Sequence, residues 1–224
     1  MMNNLFSIFD PSTNFSTSLN WLSVLLFFPI MFPPYWLLSS KTSMLPVKIK
    51  SILLKEFNIL LGPSSFPGAP LILLTLFTFI LLNNTMGLIP YIFTATSHLL
   101  LTLTLALPFW LTMILFGWLN NTHHMLAHLL PQGTPYPLMI FMVLIETISN
   151  FIRPITLSVR LTANMIAGHL LMTLLSNTLS SLPIMPYIMT LPTQLALITL
   201  ESAVAMIQAY VFSVLTTLYI SESN

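Results

Sequence analysis

The sequence predicts an all-α integral membrane protein. It has five membrane helices and one amphipathic helix on the cytoplasmic or matrix side, and the last two membrane helices are long, tilted and joined as a hairpin. Three observations predict this. Charged residues make up 5% of the 224 residues and hydrophobic ones 56%, whereas a soluble domain carries roughly a quarter charged residues. So few charges cannot cover a surface facing water, and mean hydropathy is +0.91. Five apolar stretches reach or exceed the ~20 residues needed to cross a bilayer core. Four of the six Lys and Arg residues (Lys41, Lys48, Lys50 and Lys55) fall between the first two of those stretches.

Taken in order, the first span covers residues 19–38. Pro29, Pro33 and Pro34 remove backbone donors from its second half, which is expected to be bent or frayed. In residues 41–61, Val47, Ile49, Ile52, Leu53, Phe57 and Leu60 recur near helical spacing opposite the lysines, as in a helix lying on a membrane surface. Spans at 71–93, ending near Gly87 and Pro90, and at 98–119 follow, then a polar loop at 120–137. The last two segments, 138–179 and 187–220, would be ~63 Å and ~51 Å long as helices, against a core of ~30 Å. Each must contain breaks or lie steeply tilted; the tilted hairpin, turning near 180–186, is the expected form, with local kinks at Pro154 and Pro192. Residues 1–224 then make one membrane domain. Positive segments stay on the side of insertion, so 41–61 faces the cytoplasm or mitochondrial matrix, the N-terminus lies outside and the C-terminus inside.

Chemistry concentrates in the long pair. A heptad advances a helix by only about −20° relative to a shared face, so Glu146, Arg153 and Arg160, seven and seven apart, form a stripe that Asn150 and Asn164 join. Gln194, Glu201 and Gln208 repeat that spacing in the last segment, and two facing stripes would make a polar seam. A guanidinium stays charged at any cellular pH, and an intramembrane charge is a claim about moving or holding charge. His169, nine residues past Arg160, lies ~13 Å further along and on the opposite face. Imidazole and buried carboxylate can pass protons, whereas Arg160 cannot release one, so the pattern predicts two half-paths separated by a fixed positive charge. The bland alternatives are self-neutralisation of a Glu–Arg pair, snorkelling of Arg153, and carboxamides acting as interhelical glue.

Other chemistries are excluded. Cysteine is absent, which removes thiolate nucleophiles, disulfides and thiolate metal sites. His124 and His128 have i, i+4 spacing beside His123, but without HExxH or a third acidic ligand they read as a solvated loop rather than a metal site. No nucleotide loop, GxSxG motif or basic patch is present, so neither cofactor, metal nor nucleic acid is expected. Trp21, Trp36, Trp110 and Trp118 read as interfacial or packing residues.

The run Arg160-Leu-Thr-Ala-Asn164-Met-Ile-Ala-Gly168-His169, with Glu201 and Gln208, resembles the a-subunit family of F-type ATP synthases. The similarity extends to Leu-Gly-Pro-Ser from Leu61, Asn84-Thr-Met-Gly-Leu-Ile-Pro90-Tyr and Pro131-Gln-Gly-Thr-Pro135, and the chain looks like the mitochondrially encoded version, close to arthropod members. The resemblance implies a non-catalytic, proton-translocating stator subunit in the mitochondrial inner membrane, partnered by the c-ring and by other membrane-sector and peripheral-stalk subunits. It further implies that Arg160 faces the c-ring carboxylate. His169 and Glu201 match the outer half-channel, in the mitochondrial order of an acid–His pair exchanged in many bacterial relatives. Glu146 matches the matrix-side half-channel, and Asn164 and Gln208 match polar positions near the arginine. Without the resemblance, a secondary proton transporter or antiporter subunit would use the same stripe, but no substrate cavity or internal repeat is legible. An intramembrane hydrolase lacks a nucleophile–base pair.

Overall fold

The computed structural model describes residues 5–13, 17–26, 40–62, 68–130, 135–181 and 183–223. Among these, no strand occurs. The α-helices are α1 (Lys41–Leu61), α2 (Ala69–Gly87), α3 (Leu99–Asn120), α4 (Thr122–His128), α5 (Met139–Ser181) and α6 (Ile184–Ser223). Short 3-10 turns occupy Leu5–Phe9, Leu19–Leu26, Ala95–Ser97 and Tyr136–Leu138.

Four of these helices, α2, α3, α5 and α6, are long and apolar enough to cross a membrane, and they pack into a bundle. Its core is built from Leu73, Ile80, Leu161, Phe212 and Ile220. Ser and Thr hydroxyls are kept inside the apolar helices by donating to carbonyls one turn back: Ser158 to Ile155, Thr162 to Val159, Thr217 to Val214. This satisfies their polarity where no water is at hand.

Most of the first expected span, residues 27–39, lies outside the described residues. Its beginning, Leu19–Leu26, is a 3-10 helix. The span drawn at 71–93 instead runs Ala69–Gly87. Pro90 cannot donate and pushes Ile89 away from helical geometry, and the chain turns through Tyr91 at φ 71°. A Cβ on Gly87 would lie 3.0 Å from a Thr94 methyl and 3.4 Å from Met165, so glycine lets the returning chain and α5 close on the helix end. The loop drawn at 120–137 contains the helix α4, because Met125 folds back onto Gly117 of α3. His123 and His124 lie on α4, and the side chain of His128 lies outside the described residues.

The amphipathic helix α1 divides its apolar residues between two uses. Leu53, Phe57 and Leu61 are buried where α1 packs on α2 and α6. Val47, Ile49, Ile52 and Leu60 remain exposed, an apolar strip suited to a membrane surface.

The two longest helices, 43 and 40 residues, run unbroken through Pro154 and Pro192, which removes the possibility of breaks. At 1.5 Å per residue they are ~64 Å and ~60 Å long. They are antiparallel: Arg153 meets Tyr219, Asn164 meets Gln208 and His169 meets Glu201, one index falling as the other rises. α5 is the least buried of the four candidate spans.

Candidate functional site

The register of α5 against α6 creates two polar junctions. Asn164 Nδ2 donates to Gln208 Oε1 at 3.3 Å. About one turn further along α5, His169 Nε2 stands 3.8 Å from Glu201 Oε1, within ion-pair reach when the imidazole is protonated. Glu201 is 5% exposed. Its two carboxylate oxygens and His169 Nε2 are buried without a hydrogen-bond partner among the described residues. Buried polar atoms normally find partners, and leaving an ionised carboxylate alone is costly. The two groups thus face each other at the α5–α6 junction with no other described partner for these atoms.

Gly168 makes the junction possible. A Cβ there would sit 2.5 Å from Glu201 Oε1 and 2.8 Å from its carboxyl carbon, so the carboxylate rests directly on the backbone of α5. The sequence motif contains this glycine, but its role needs the register of α6 to be seen.

On the other side of Arg160, Glu146 and Arg153 form an ion pair, Oε1 to Nη2 at 3.5 Å, both about 30% exposed. The Arg153 guanidinium also lies over the Tyr219 ring, 5.4 Å from its centroid. Asn150 and Arg153 line a cavity of about 330 Å3 with Thr147, Trp110, Trp118 and Tyr219. Self-neutralisation therefore holds for this pair, beside a cavity with polar groups in its wall.

Arg160 differs from Glu146, Arg153 and Glu201, the other charges described on α5 and α6. It is exposed, and among the described residues it makes no hydrogen bond or ion pair. Around it on the same open face stand Ile152, Ile155 and Val159, all exposed apolar side chains, and Ala163 and Asn164. The facing stripes are thus only partly realised: Gln208 reaches Asn164, Glu201 reaches His169, and half-buried Gln194 makes no side-chain hydrogen bond among the described residues.

Sequence reasoning missed one group of candidates. Asn84 is 0% exposed, and among the described residues neither of its amide atoms, nor Thr96 Oγ1 nor His98 Nε2, all buried, has a hydrogen-bond partner. They sit where α2 ends and α3 begins, at the end of the bundle that the Gly87–Met165 contact joins to α5. The doubled Asn83-Asn84 in an apolar run was the available signal. Asn83 is ordinary: its Nδ2 donates to the Phe79 carbonyl at 3.0 Å.

These features define a class: a multi-pass membrane protein whose two longest helices carry titratable groups, buried on one side and half-buried on the other, flanking an arginine that has no partner among the described residues. A family profile described as ATP synthase A chain matches residues 21–221. The chain is 60% identical to ATP synthase subunit a of Drosophila mauritiana over 224 residues, covering 100% of both chains. It is 59% identical to that of Locusta migratoria over 223 residues and 99% of each chain. It is 58% identical to that of Anopheles gambiae over 228 residues and 100% of each. The chain belongs to the ATP synthase A chain family.

Proposed function

We propose that this chain is the proton-conducting stator subunit of the ATP synthase membrane sector, a non-catalytic subunit that couples proton flow to rotation of a c-ring. Membership of the family supports the ATP synthase and proton-transport parts, and the similarity to subunit a of insects supports the mitochondrial part. The observation that carries the mechanism is the exposed Arg160, without a partner among the described residues, on a largely apolar face between the His169–Glu201 pair and the Glu146–Arg153 pair. A guanidinium on a membrane-facing surface with no acid beside it among the described residues is suited to an acid from a partner, and a ring carboxylate supplies it.

The chain lies in the mitochondrial inner membrane as one membrane domain, with α1 on the matrix side, the N-terminus towards the intermembrane space and the long pair tilted. A proton from the outer side passes Glu201 and His169 and neutralises a ring carboxylate. Neutral, that carboxyl enters lipid at little electrostatic cost. After nearly a turn it reaches the inner path by Asn150, Arg153 and Glu146 and releases the proton. Arg160 favours the ionised carboxylate by ~4 kcal/mol at ~4 Å and an effective ε near 20. It also repels protons from the short route between the half-paths, while Asn164 and Gln208 fix the helix pair beside it. Each proton brings ~2.3 kcal/mol per 100 mV, so a few protons outweigh the attraction and the ring is not trapped. Peripheral-stalk and other membrane-sector subunits hold the chain still.

Purification in mild detergent tests this directly. The chain is expected to emerge with a c-ring and soluble ATPase subunits; a stable, transport-competent chain isolated alone would identify a secondary transporter instead. Glu146→Gln is expected to slow proton-driven synthesis about 10-fold while assembly is unchanged, because the variant removes the titratable carboxylate of the inner path and the negative charge beside Arg153. An unchanged rate would remove Glu146 from that path. Gly168→Ala is expected to cut the rate about 10- to 100-fold, since the new methyl displaces the Glu201 carboxylate by ~1 Å. Full activity in that variant would show that the close approach is dispensable.

A further inference from the structure

We propose that the N-terminal segment forms the outer mouth of the proton path, with Phe9 covering His169 and Asp10 acting as the carboxylate that draws protons to it. This rests on the reading of His169 and Glu201 as the outer proton groups.

The Leu5–Phe9 turn packs on α5, and the Phe9 ring meets the His169 imidazole edge-on, 6.3 Å between centroids and 84° between planes. His169 is thus covered by a side chain remote in sequence. The next residue, Asp10, is exposed, and one further residue along the chain puts its carboxylate on the order of 10 Å from the imidazole. It is not a loose tail: Asp10 Oδ1 accepts the Ser12 N–H at 3.0 Å, and its main-chain carbonyl accepts Asn20 Nδ2 at 3.3 Å. The Ser12 backbone N–H, then the Ser12 side chain, hold the Asp10 carboxyl below its ordinary range. The charge therefore persists at any pH where the complex works, and the turn it fixes loosens only as pH falls through that lowered value.

No described ion pair joins Asp10 to a basic side chain, and Arg160, the basic residue nearest to His169 along α5, lies nine residues or ~13 Å away along that helix. All six Lys and Arg lie in α1 or α5, and of the five acids Glu56 is in α1, Glu146 in α5, and Glu201 and Glu222 in α6. The titratable groups facing this corner are His169 from α5, Glu201 from α6 at 3.8 Å from it, and His98 at the start of α3, packed against Trp21 and Phe93. A single negative charge at ~10 Å in water enriches protons about two-fold, an effect removed by salt.

The test uses the intact complex in vesicles, with ATP synthesis driven by an imposed proton gradient while outer-face pH and salt are varied. Asp10→Asn is expected to run about two-fold slower than wild type at alkaline outer pH and low salt, and to match it at acidic pH or high salt. Equal rates throughout, or a uniform loss at every pH and salt, would overturn the proposal. For the cover, carbethoxylation of His169 by diethylpyrocarbonate is read by mass spectrometry. Phe9→Ala is expected to accelerate it several-fold and Phe9→Leu to leave it near wild type, whereas no acceleration in Phe9→Ala contradicts the covering role. His169→Gln separates the two levels of inference. If it abolishes synthesis while Asp10→Asn has no effect, only the mouth assignment falls; if it synthesises normally, the outer path itself is misplaced.

Discussion

Arg160→Ala is expected to abolish proton-coupled ATP synthesis while leaving the chain assembled with its partners. Assembly should survive because Arg160 is exposed and bonded to nothing among the described residues, so its loss opens no cavity and orphans no buried group within the chain. Coupling should not survive. The ~4 kcal/mol favouring an ionised ring carboxylate corresponds to about a thousand-fold in that equilibrium, and without it a neutral carboxyl can pass backwards as readily as forwards. Arg160→Lys keeps a charge but loses the planar, always-charged guanidinium, and it is expected to remain severely impaired. ATP synthesis in energised vesicles, with subunit content measured in the same preparation, checks both variants.

Glu201→Gln is the second large effect, and a loss of about 100-fold or more in synthesis is expected, in line with removing a positioned acid–base group. Gln has nearly the same shape, so the contact with Gly168 and the packing of α6 persist, and its amide can still face His169. What disappears is titration. Both oxygens of Glu201 are buried without hydrogen-bond partners among the described residues, so His169, at 3.8 Å, is the one titratable group the described residues place beside the lost carboxyl. Proton uptake on the outer side, measured with the amount of assembled complex, separates this loss from misfolding; rapid uptake in Glu201→Gln would assign the outer path to other groups, with Asn84, Thr96 and His98 as the first to test.

Much of this was legible in the sequence, for definite reasons. Apolar length gave the spans at 98–119, 138–179 and 187–220 to within a few residues of α3, α5 and α6, because a bilayer sets a minimum length that few other constraints disturb. Seven-residue spacing placed Glu146 with Arg153, and they do form an ion pair. The pairing of His169 with Glu201 was not legible from spacing on one helix. It depends on where the hairpin turns, which sets the register of α6, and on the missing Cβ of Gly168. Nor was the exposure of Arg160, since which face of a uniformly oily helix is left open is decided by the neighbours it packs against. The stretch drawn to 93 runs past the end of α2 because apolar residues continue beyond Gly87, while the stop signals read at Gly87 and Pro90 mark where the helix ends. The N-terminal contact of Phe9 with His169 had no sequence signal at all, being a packing of segments about 160 residues apart.

The central claim is that Arg160 separates two half-paths which only ring rotation can join. It is tested most directly by passive proton flux through the membrane sector with the c-ring immobilised by cross-linking, in wild type and Arg160→Ala. The prediction is that the locked wild-type sector is tight to protons, whereas the locked Arg160→Ala sector conducts, because protons then cross between the paths without rotation. A locked Arg160→Ala sector as tight as wild type would contradict the claim.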